Sequence, residues 1–250
     1  MKRKRQVKAV CSTFGFPDLS SKVTLGVQEG NANVPGVRLG VVWRAMQKEH
    51  IPGFADAISI YVSKGKSKIG SEVSPFILCI AMDIDTGTED GAIDGKPLQR
   101  GVPLEMYWQA AKLSPDEVKN GEPTASYYAR RAKIYSQMKV KRRYITKGLP
   151  IAGAVFGNEK NIYSYIHSRQ FYCSAYAEAV LPTPAFKLLS ELLDLKFNML
   201  LLGPDSHPMR MGESWGYAYA DTSKQFGHER VLAVLLSVDT AKWPWVSQIK

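Results

Sequence analysis

The spacing of apolar residues predicts helices through most of the second half of the chain. Apolar side chains recur every three or four positions in residues 124–139, 161–181, 184–195 and 228–238, which places them on one face of a helix. The clearest of these patterns is PAFKLLSELLDL at 184–195. The segment PLEMYWQAAKL, residues 103–113, shows the same pattern earlier in the chain and predicts another amphipathic helix.

Shorter apolar patterns predict strands. Residues 57–66 alternate apolar and polar positions, whereas residues 74–85 and 197–205 contain continuous apolar runs of strand length. Residues 37–50 predict a strand that runs into a short helix, and residues 86–103 predict a polar loop that contains several glycines. Together with the helices, these elements predict an α+β fold that is predominantly helical and has a small β-sheet.

Composition predicts one globular domain preceded by an arm. Residues 1–35 lack a regular apolar period and contain Gly, Ser, Asn and Pro, which is typical of irregular structure. The chain has 250 residues, of which 45% are hydrophobic, and this is enough to bury a sizeable core. We therefore expect a basic, irregular amino-terminal arm over residues 1–35 and a single globular domain over residues 36–250.

The distribution of apolar residues and cysteines argues against a membrane protein and against a disulfide framework. The richest apolar run, residues 186–203, is interrupted by four charged residues, whereas a membrane helix needs about 18 apolar residues in succession. The basic amino terminus is not followed by the apolar stretch of a signal peptide. Cys11, Cys79 and Cys173 form no CxxC pair. We therefore expect no membrane association and a reducing, cytoplasmic location.

The chain is basic, and its basic residues are clustered. It has 33 Lys and Arg against 23 Asp and Glu, a formal net charge of +10. Two clusters stand out, KRKRQVK at 2–8 and KVKRRYITK at 139–147, and the preceding helical pattern is expected to turn Arg130, Arg131 and Lys133 to solvent. Such clusters favour a nucleic acid, a nucleotide phosphate or an acidic protein as a partner, because binding releases counterions. The alternative is a disordered tail that only aids solubility.

Several catalytic motifs are missing from the sequence. It contains no GxxxxGK[ST], GxGxxG, HExxH or GxSxG motif, which argues against Walker-type ATPase chemistry and against zinc-dependent hydrolysis. The four histidines are dispersed, and each is interpreted as structural or surface-exposed rather than as a metal ligand. His228 is of more interest than the others because it lies in the compact stretch QFGHERVL.

The predicted helix at 103–113 carries polar groups along the edge of its apolar face. At about 100° per residue, Glu105 and Lys112 point almost the same way, two turns apart, and Trp108 and Gln109 flank them. One interpretation is a partly solvated flank on which an acid and a base happen to align. The other interpretation is one half of an active site.

The residues of this helix also carry a resemblance to a known family. Glu105, Tyr107, Trp108, Gln109, Ala110 and Lys112 resemble the Glu-His-x-aromatic-Gln-Ala-x-Lys helix of the NADAR superfamily, the YbiA-like N-glycosidases. Met106 stands where the family has His.

Other parts of the chain follow the order of that family. Ser74-Pro75-Phe76 resembles its Ser-Asn-Phe element, and Trp215-Gly216 resembles its Trp-Gly pair. Residues 227–236 stand where the family has an Asn-containing turn and its last helix, although residues 226–229 replace the Asn turn. The resemblance covers residues 57–240, with long insertions, and implies a NADAR-like fold.

The resemblance implies cleavage of an N-glycosidic bond at a ribose, without a metal or another cofactor. The substrate would be ADP-ribosylated guanine or a phosphoribosylated pyrimidine. Glu105 would stabilise positive charge on the anomeric carbon. Lys112 would attack an opened ribose aldehyde as an amine, or would contact a phosphate or hydroxyl group. Trp108 or Trp215 would stack on the base, and the substrate-binding set would also include Ser74, Phe76, Gln109 and Gly216.

Four further residues are candidates with two interpretations each. Arg169 is expected either to bind a phosphate or to cap the core, and Asp205 either to be a carboxylate at a strand exit or to belong to a Gly-Pro-Asp turn. His228 and Glu229 are expected either to form a catalytic acid–base pair or to cap the last helix. The alternative function for the whole chain is a catalytically inactive, basic nucleic-acid-binding protein on the same fold.

Overall fold

The computed structural model describes residues 2–22, 39–43, 57–80, 92–93, 96–97, 102–137, 151–156, 161–203 and 214–246. The helices in these ranges are α1 Lys2–Thr13, α2 Lys68–Val73, α3 Leu104–Ala111, α4 Ala125–Gln137, α5 Tyr165–Val180, α6 Pro184–Asp194, α7 Trp215–Ala220 and α8 His228–Ser237. The helices predicted from apolar spacing are confirmed, whereas α1, α2 and α7 were not predicted. Within the described ranges, no helix is long and apolar enough to cross a bilayer.

The strands are short. They are β1 Leu39–Trp43, β2 Ile58–Tyr61, β3 Cys79–Ile80, β4 Ala92–Ile93, β5 Lys96–Pro97, β6 Val102–Pro103, β7 Lys112–Leu113, β8 Val118–Lys119, β9 Glu122–Pro123, β10 Gly153–Ala154 and β11 Met199–Gly203. The chain is therefore α+β, mostly helical with small sheets, as the sequence predicts.

The chain divides into two compact units. The first unit comprises Met1–Ser74, Ala177–Tyr219 and Gln225–Lys250, and the second comprises Pro75–Tyr176 and Ala220–Lys224. Each unit is assembled from separated stretches of sequence. The single domain over residues 36–250 stays a prediction.

The first unit is built on a parallel sheet with β11 at its centre. Among the described strands the order is β1-β11-β2, and Leu201 of β11 pairs with Val41 on one side and Ile60 on the other. Every residue of β11 is buried, which explains why its sequence, MLLLG, is continuously apolar rather than alternating. Helix α8 packs against β1 and β11, and α2 packs against β2 and α6. The strand predicted within residues 197–205 is confirmed.

The basic amino-terminal segment is a docked helix, not an irregular arm. Val7 and Cys11 are buried, and Arg3, one turn before Val7, lies on the same face of α1. Arg3 Nη2 donates to the carbonyl oxygen of Lys196 at 2.9 Å, and its guanidinium lies 4.6 Å from the centre of the Phe197 ring. The prediction of irregular structure is therefore wrong for Lys2–Thr13. Apolar spacing did not reveal the docked face of α1, at positions 3, 7 and 11, because most residues of this segment are basic or polar.

Docking of α1 predicts a loss of stability when its buried contacts are trimmed. Val7→Ala should lower the free energy of unfolding by about 2 kcal/mol, because it removes buried methyl groups and leaves a cavity. Urea unfolding measures the change. Val246→Ala, the same substitution at an exposed position, is the control and should shift stability by less than about 0.5 kcal/mol. Equal effects would contradict the docked helix.

The second unit contains α3, α4 and short antiparallel pairs. Helix α3 packs against α4, β7 pairs with β10, and β3 pairs with β6. The β8–β9 hairpin turns at Asn120 and Gly121, whose φ angles of 54° and 80° suit an Asn-Gly turn.

Two sequence predictions in the second unit need correction or lie partly outside the described residues. The strand predicted over residues 74–85 begins later, because residues 75–77 form a turn, and its described part is β3, Cys79–Ile80. The carbonyl groups of that turn region serve the start of α3 instead of a sheet. The predicted loop at 86–103 contains β4, β5 and β6 in its described parts. The rest of both segments lies outside the described residues.

Candidate active site

Helix α3 starts at a point fixed by the segment around Pro75. The backbone N–H of Glu105 donates to the carbonyl oxygen of Pro75, and that of Leu104 donates to Leu78, both at 2.9 Å. These bonds satisfy two of the donors that a helix start leaves open. Phe76 lies partly buried in the turn, and Ser74, which belongs to the first unit, is buried at the carboxyl-terminal end of α2.

Glu105 is a buried carboxylate in the first turn of α3. The residue is only 8% exposed, and its Oε1 accepts a hydrogen bond of 2.9 Å from Gln109 Nε2, one turn further on. The first turn of a helix favours negative charge, because the peptide N–H groups there point toward it. The helix and Gln109 thus hold the carboxylate in one orientation.

Lys112 is a buried lysine immediately after the same helix. It is 6% exposed, and its Nζ lies 4.6 Å from the centre of the Trp108 ring. Its backbone is fixed because Lys112 pairs with Ala154 across β7 and β10, and Val155 N–H donates to Ala111 at 2.9 Å. The amine therefore sits against an aromatic face at a defined position.

Burial distinguishes between the two interpretations of this helix edge. Glu and Lys are rarely buried to this degree unless they are paired or serve a function, because both lose hydration. Neither side chain lies on a solvated flank. Glu105 contacts Gln109, and Lys112 contacts Trp108, so each flanking residue of the sequence pattern holds one of the charged groups.

Aromatic rings pack around Trp108 and keep it in place. Its ring centre lies 5.1 Å from that of Tyr172, 6.3 Å from Tyr165 and 6.5 Å from Phe156. Trp108 itself is 7% exposed. Little of its ring surface therefore remains for a substrate base.

Arg130 of α4 also belongs to this site, and sequence reasoning missed it. Its guanidinium donates to both carboxylate oxygens of Glu117, at 2.5 and 2.9 Å, and to the carbonyl oxygens of Gln109 and Lys112. These contacts neutralise the carbonyl groups at the carboxyl-terminal end of α3. The predicted exposure is right for Lys133 but wrong for Arg130, whose side chain is only 13% exposed, and for Arg131, which is buried.

The Glu117–Arg130 pair is expected to stabilise the second unit. Glu117→Gln should lower the free energy of unfolding by about 3 kcal/mol, because it leaves a partly buried guanidinium without its counter-charge. The side chains of Glu117 and Arg130 are only 4% and 13% exposed, so water screens the pair weakly. Urea unfolding measures the loss. Glu122→Gln, at an exposed position in the β8–β9 hairpin that follows Glu117, should change stability by less than about 0.5 kcal/mol, and a similar loss there would refute the assignment.

Arg169 is engaged by backbone carbonyl groups. Its Nη1 donates to Asp221 at 3.1 Å and its Nη2 to Lys224 at 2.8 Å, while the guanidinium lies 5.0 Å from the centre of the Tyr165 ring. The residue is almost fully buried. These contacts favour the core-capping interpretation over phosphate binding.

Cys173 and Asp221, which both lie near Arg169, have pKa values outside their ordinary ranges. Burial raises the pKa of the Cys173 thiol, against the opposing effect of the Arg169 charge. Hydrogen bonds from the Ser223 hydroxyl and from Lys224 lower the pKa of Asp221 to about 2. The thiol is therefore neutral and Asp221 ionised at neutral pH.

In the first unit, His228 and Glu229 form a buried pair at the start of α8. The Nε2 of His228 lies 2.9 Å from the carbonyl oxygen of Val62, so Nε2–H is the donor. Its Nδ1 lies 3.4 Å from Glu229 Oε2, and a hydrogen bond between them requires one proton on either atom. A Cβ at Gly227 would come within 2.6 Å of that carboxylate oxygen, so the carboxylate folds back over the helix start. No side-chain hydrogen bond caps the start of α8, so the capping interpretation gains no support, whereas the contact between His228 and Glu229 fits an acid–base pair.

The structure groups the predicted site residues in two sets. Glu105, Trp108, Gln109 and Lys112 lie together in the second unit, whereas His228 and Glu229 lie together in the first. Trp215, half-buried at the start of α7, and Gly216, which is exposed, also belong to the first unit. A common pocket for the two sets stays a prediction. Asp205 and the basic cluster at 139–147 lie outside the described residues.

Neither a cluster of metal-ligand side chains in the described residues nor a match to a known protein adds information about this site. In the parts of the chain that the structure describes, no three His, Cys, Asp or Glu side chains cluster as a metal site requires. Comparisons with protein-family models, curated proteins and solved structures find no match for the chain.

Proposed function

We propose that the chain is a NADAR-like N-glycosidase that cleaves the bond between a base and a ribose without a metal or cofactor. The substrate is a nucleotide derivative, either ADP-ribosylated guanine or a phosphoribosylated pyrimidine. The observation that carries the proposal is the burial of Glu105 and Lys112 at the two ends of one short helix, each held by a neighbouring side chain.

A second contact supports the resemblance behind this proposal. The element Ser74-Pro75-Phe76 and the helix of Glu105 are about 30 residues apart in the sequence, yet Pro75 accepts the N–H of Glu105. Two parts of the family pattern are therefore adjacent. A site shared by the turn and the helix start would require this adjacency.

Glu105 is proposed to lower the barrier of bond cleavage. As the bond from C1′ to the base nitrogen breaks, its electron pair leaves with the base, which takes up a proton, and positive charge grows on the ribose. A carboxylate fixed beneath C1′ stabilises that charge. Water then forms the new C1′–O bond and loses a proton, which balances the proton that the base took up.

Lys112 is proposed to act on the ribose that this step releases. The C1′ hemiacetal opens to an aldehyde, and a neutral lysine amine adds to it with loss of water to give an imine. The Trp108 ring positions Nζ for this attack. Because Trp108 is nearly covered by other rings, it is a poor candidate for stacking on the base.

The proposal is tested by product analysis. The protein is incubated in EDTA with ADP-ribosylated guanosine and, separately, with a phosphoribosylated pyrimidine, and free base is measured by liquid chromatography. Release of the base from one of them supports the proposal and names the substrate class. Release only after addition of a divalent metal would contradict the metal-independent mechanism.

A further inference from the structure

The solvent-facing side of α1 carries basic residues that the fold does not use for docking. Lys2, Arg5 and Lys8 are exposed and follow one another at intervals of three residues. The opposite side holds the buried residues Val7 and Cys11. One side of the helix is therefore packed on the protein, and the opposite, solvent-facing side is positively charged.

A second basic segment lies beside the carboxyl-terminal end of this helix. Lys68 donates from Nζ to the carbonyl oxygen of Gly15 at 2.6 Å and lies 4.9 Å from the centre of the Phe16 ring. This contact ties the turn at 64–66, which contains the exposed residues Lys64 and Lys66, to the segment that follows α1. All of these residues belong to the first unit.

We propose that these five residues form a binding surface for the phosphodiester backbone of a nucleic acid. This α1 surface consists of Lys2, Arg5, Lys8, Lys64 and Lys66. Exposed Lys and Arg side chains on a rigid helix and turn neutralise successive phosphates and release their counterions, without reading the bases. The chain's net charge of +10 favours the same partner. The surface shares no residue with the proposed glycosidase site, so either proposal can fail alone.

The composition of α1 favours a nucleic acid over a membrane. A helix that binds in the plane of a membrane needs an exposed apolar face to insert among the lipids. In α1 the apolar residues Val7 and Cys11 are buried in the protein, and the other exposed residues are Gln6, Ala9, Ser12 and Thr13. The pKa of Asp18 is lowered first by its hydrogen bonds with Ser20 and then, to a smaller extent, by the positive charge of Lys8.

The test measures how binding depends on salt. Fluorescence anisotropy with a labelled single-stranded DNA, and with an RNA of the same sequence, gives the affinity between about 50 and 200 mM salt. The combined variant Lys2→Gln, Arg5→Gln, Lys8→Gln should reduce the slope of log affinity against log salt by about 2, or about 0.7 for each lost contact. The pair Lys64→Gln, Lys66→Gln should reduce it by about 1.4. Comparison of the two strands tells whether DNA or RNA is preferred.

The matched control removes the same charge elsewhere. Lys119, Lys133 and Lys242 are also exposed, and changing all three to Gln should leave the slope nearly unchanged. An equal change in the control would show that net charge alone drives binding and would overturn the proposal. Capture by phosphatidylserine vesicles without any nucleic-acid binding would overturn it in favour of a membrane. The triple variant at Lys2, Arg5 and Lys8 should have the same urea unfolding midpoint as the wild-type protein. A midpoint at lower urea concentration would show that these residues stabilise the fold instead.

Discussion

Glu105→Gln is expected to lower the turnover of a ribosylated base by about 10²- to 10³-fold. The substitution keeps the size of the side chain and an oxygen that can accept the bond from Gln109 Nε2. It removes the negative charge that would stabilise the positive ribose in the transition state. Affinity for the intact substrate should change little, because that charge matters only once the bond is breaking. Base release at saturating substrate measures the effect.

Stability and a control substitution separate catalysis from folding in this experiment. The unfolding free energy of the Glu105→Gln variant should stay within about 1 kcal/mol of wild type. Glu122→Gln makes the same chemical change at an exposed position of the second unit and should retain full turnover. If Glu105→Gln kept wild-type turnover on every substrate that the protein cleaves, the role assigned to this carboxylate would be wrong.

Lys112→Arg is expected to abolish covalent trapping, whereas release of the base, which precedes imine formation, should change little. Arginine keeps the positive charge but stays protonated at any working pH, so it offers no neutral amine. In the wild type, borohydride should reduce the imine between Lys112 and the ribose aldehyde to a stable secondary amine. Mass spectrometry of the protein detects this adduct, and peptide mapping places it on Lys112.

The outcome of this experiment also decides between the two roles of Lys112. Lys119→Arg, at an exposed position close in sequence, should leave the adduct and the turnover intact. If borohydride gave no adduct on the wild type, Lys112 would be a phosphate or hydroxyl contact and not a nucleophile. The free energy of unfolding of the Lys112→Arg variant is measured as well, because the larger Arg side chain has to fit where the buried Lys112 contacts Trp108.

The helices could be predicted because apolar periodicity determines which face is buried. The pattern of α6, for example, is readable without any knowledge of its partners, and β11 is a continuous apolar run because both of its faces are covered. The same rule failed at α1, where only positions 7 and 11 are buried apolar residues among many charges. It also failed at residues 75–77, where backbone hydrogen bonds to α3 override the apolar character of the segment.

The candidate site was predictable only in part. Helical spacing predicted Glu105 and Lys112 on one edge with Trp108 and Gln109 as their neighbours. The two neighbour contacts are present, whereas the helix ends at Ala111 and Lys112 lies in β7. The depth of burial was not predictable, because it depends on Phe156, Tyr165 and Tyr172 from other segments. Arg130 was missed for the same reason, since its role depends on Glu117 and on carbonyl groups that become neighbours only in the folded chain.

The most direct measurement is a crystal structure of the Glu105→Gln variant soaked with the substrate that the wild type cleaves. The slow variant should retain the intact base–ribose bond in the crystal. The account predicts that C1′ lies about 3 to 3.5 Å from the substituted side chain, which is the range for reacting groups, and that Lys112 Nζ faces the same ribose. A substrate bound away from α3, with Lys112 still covered, would contradict it.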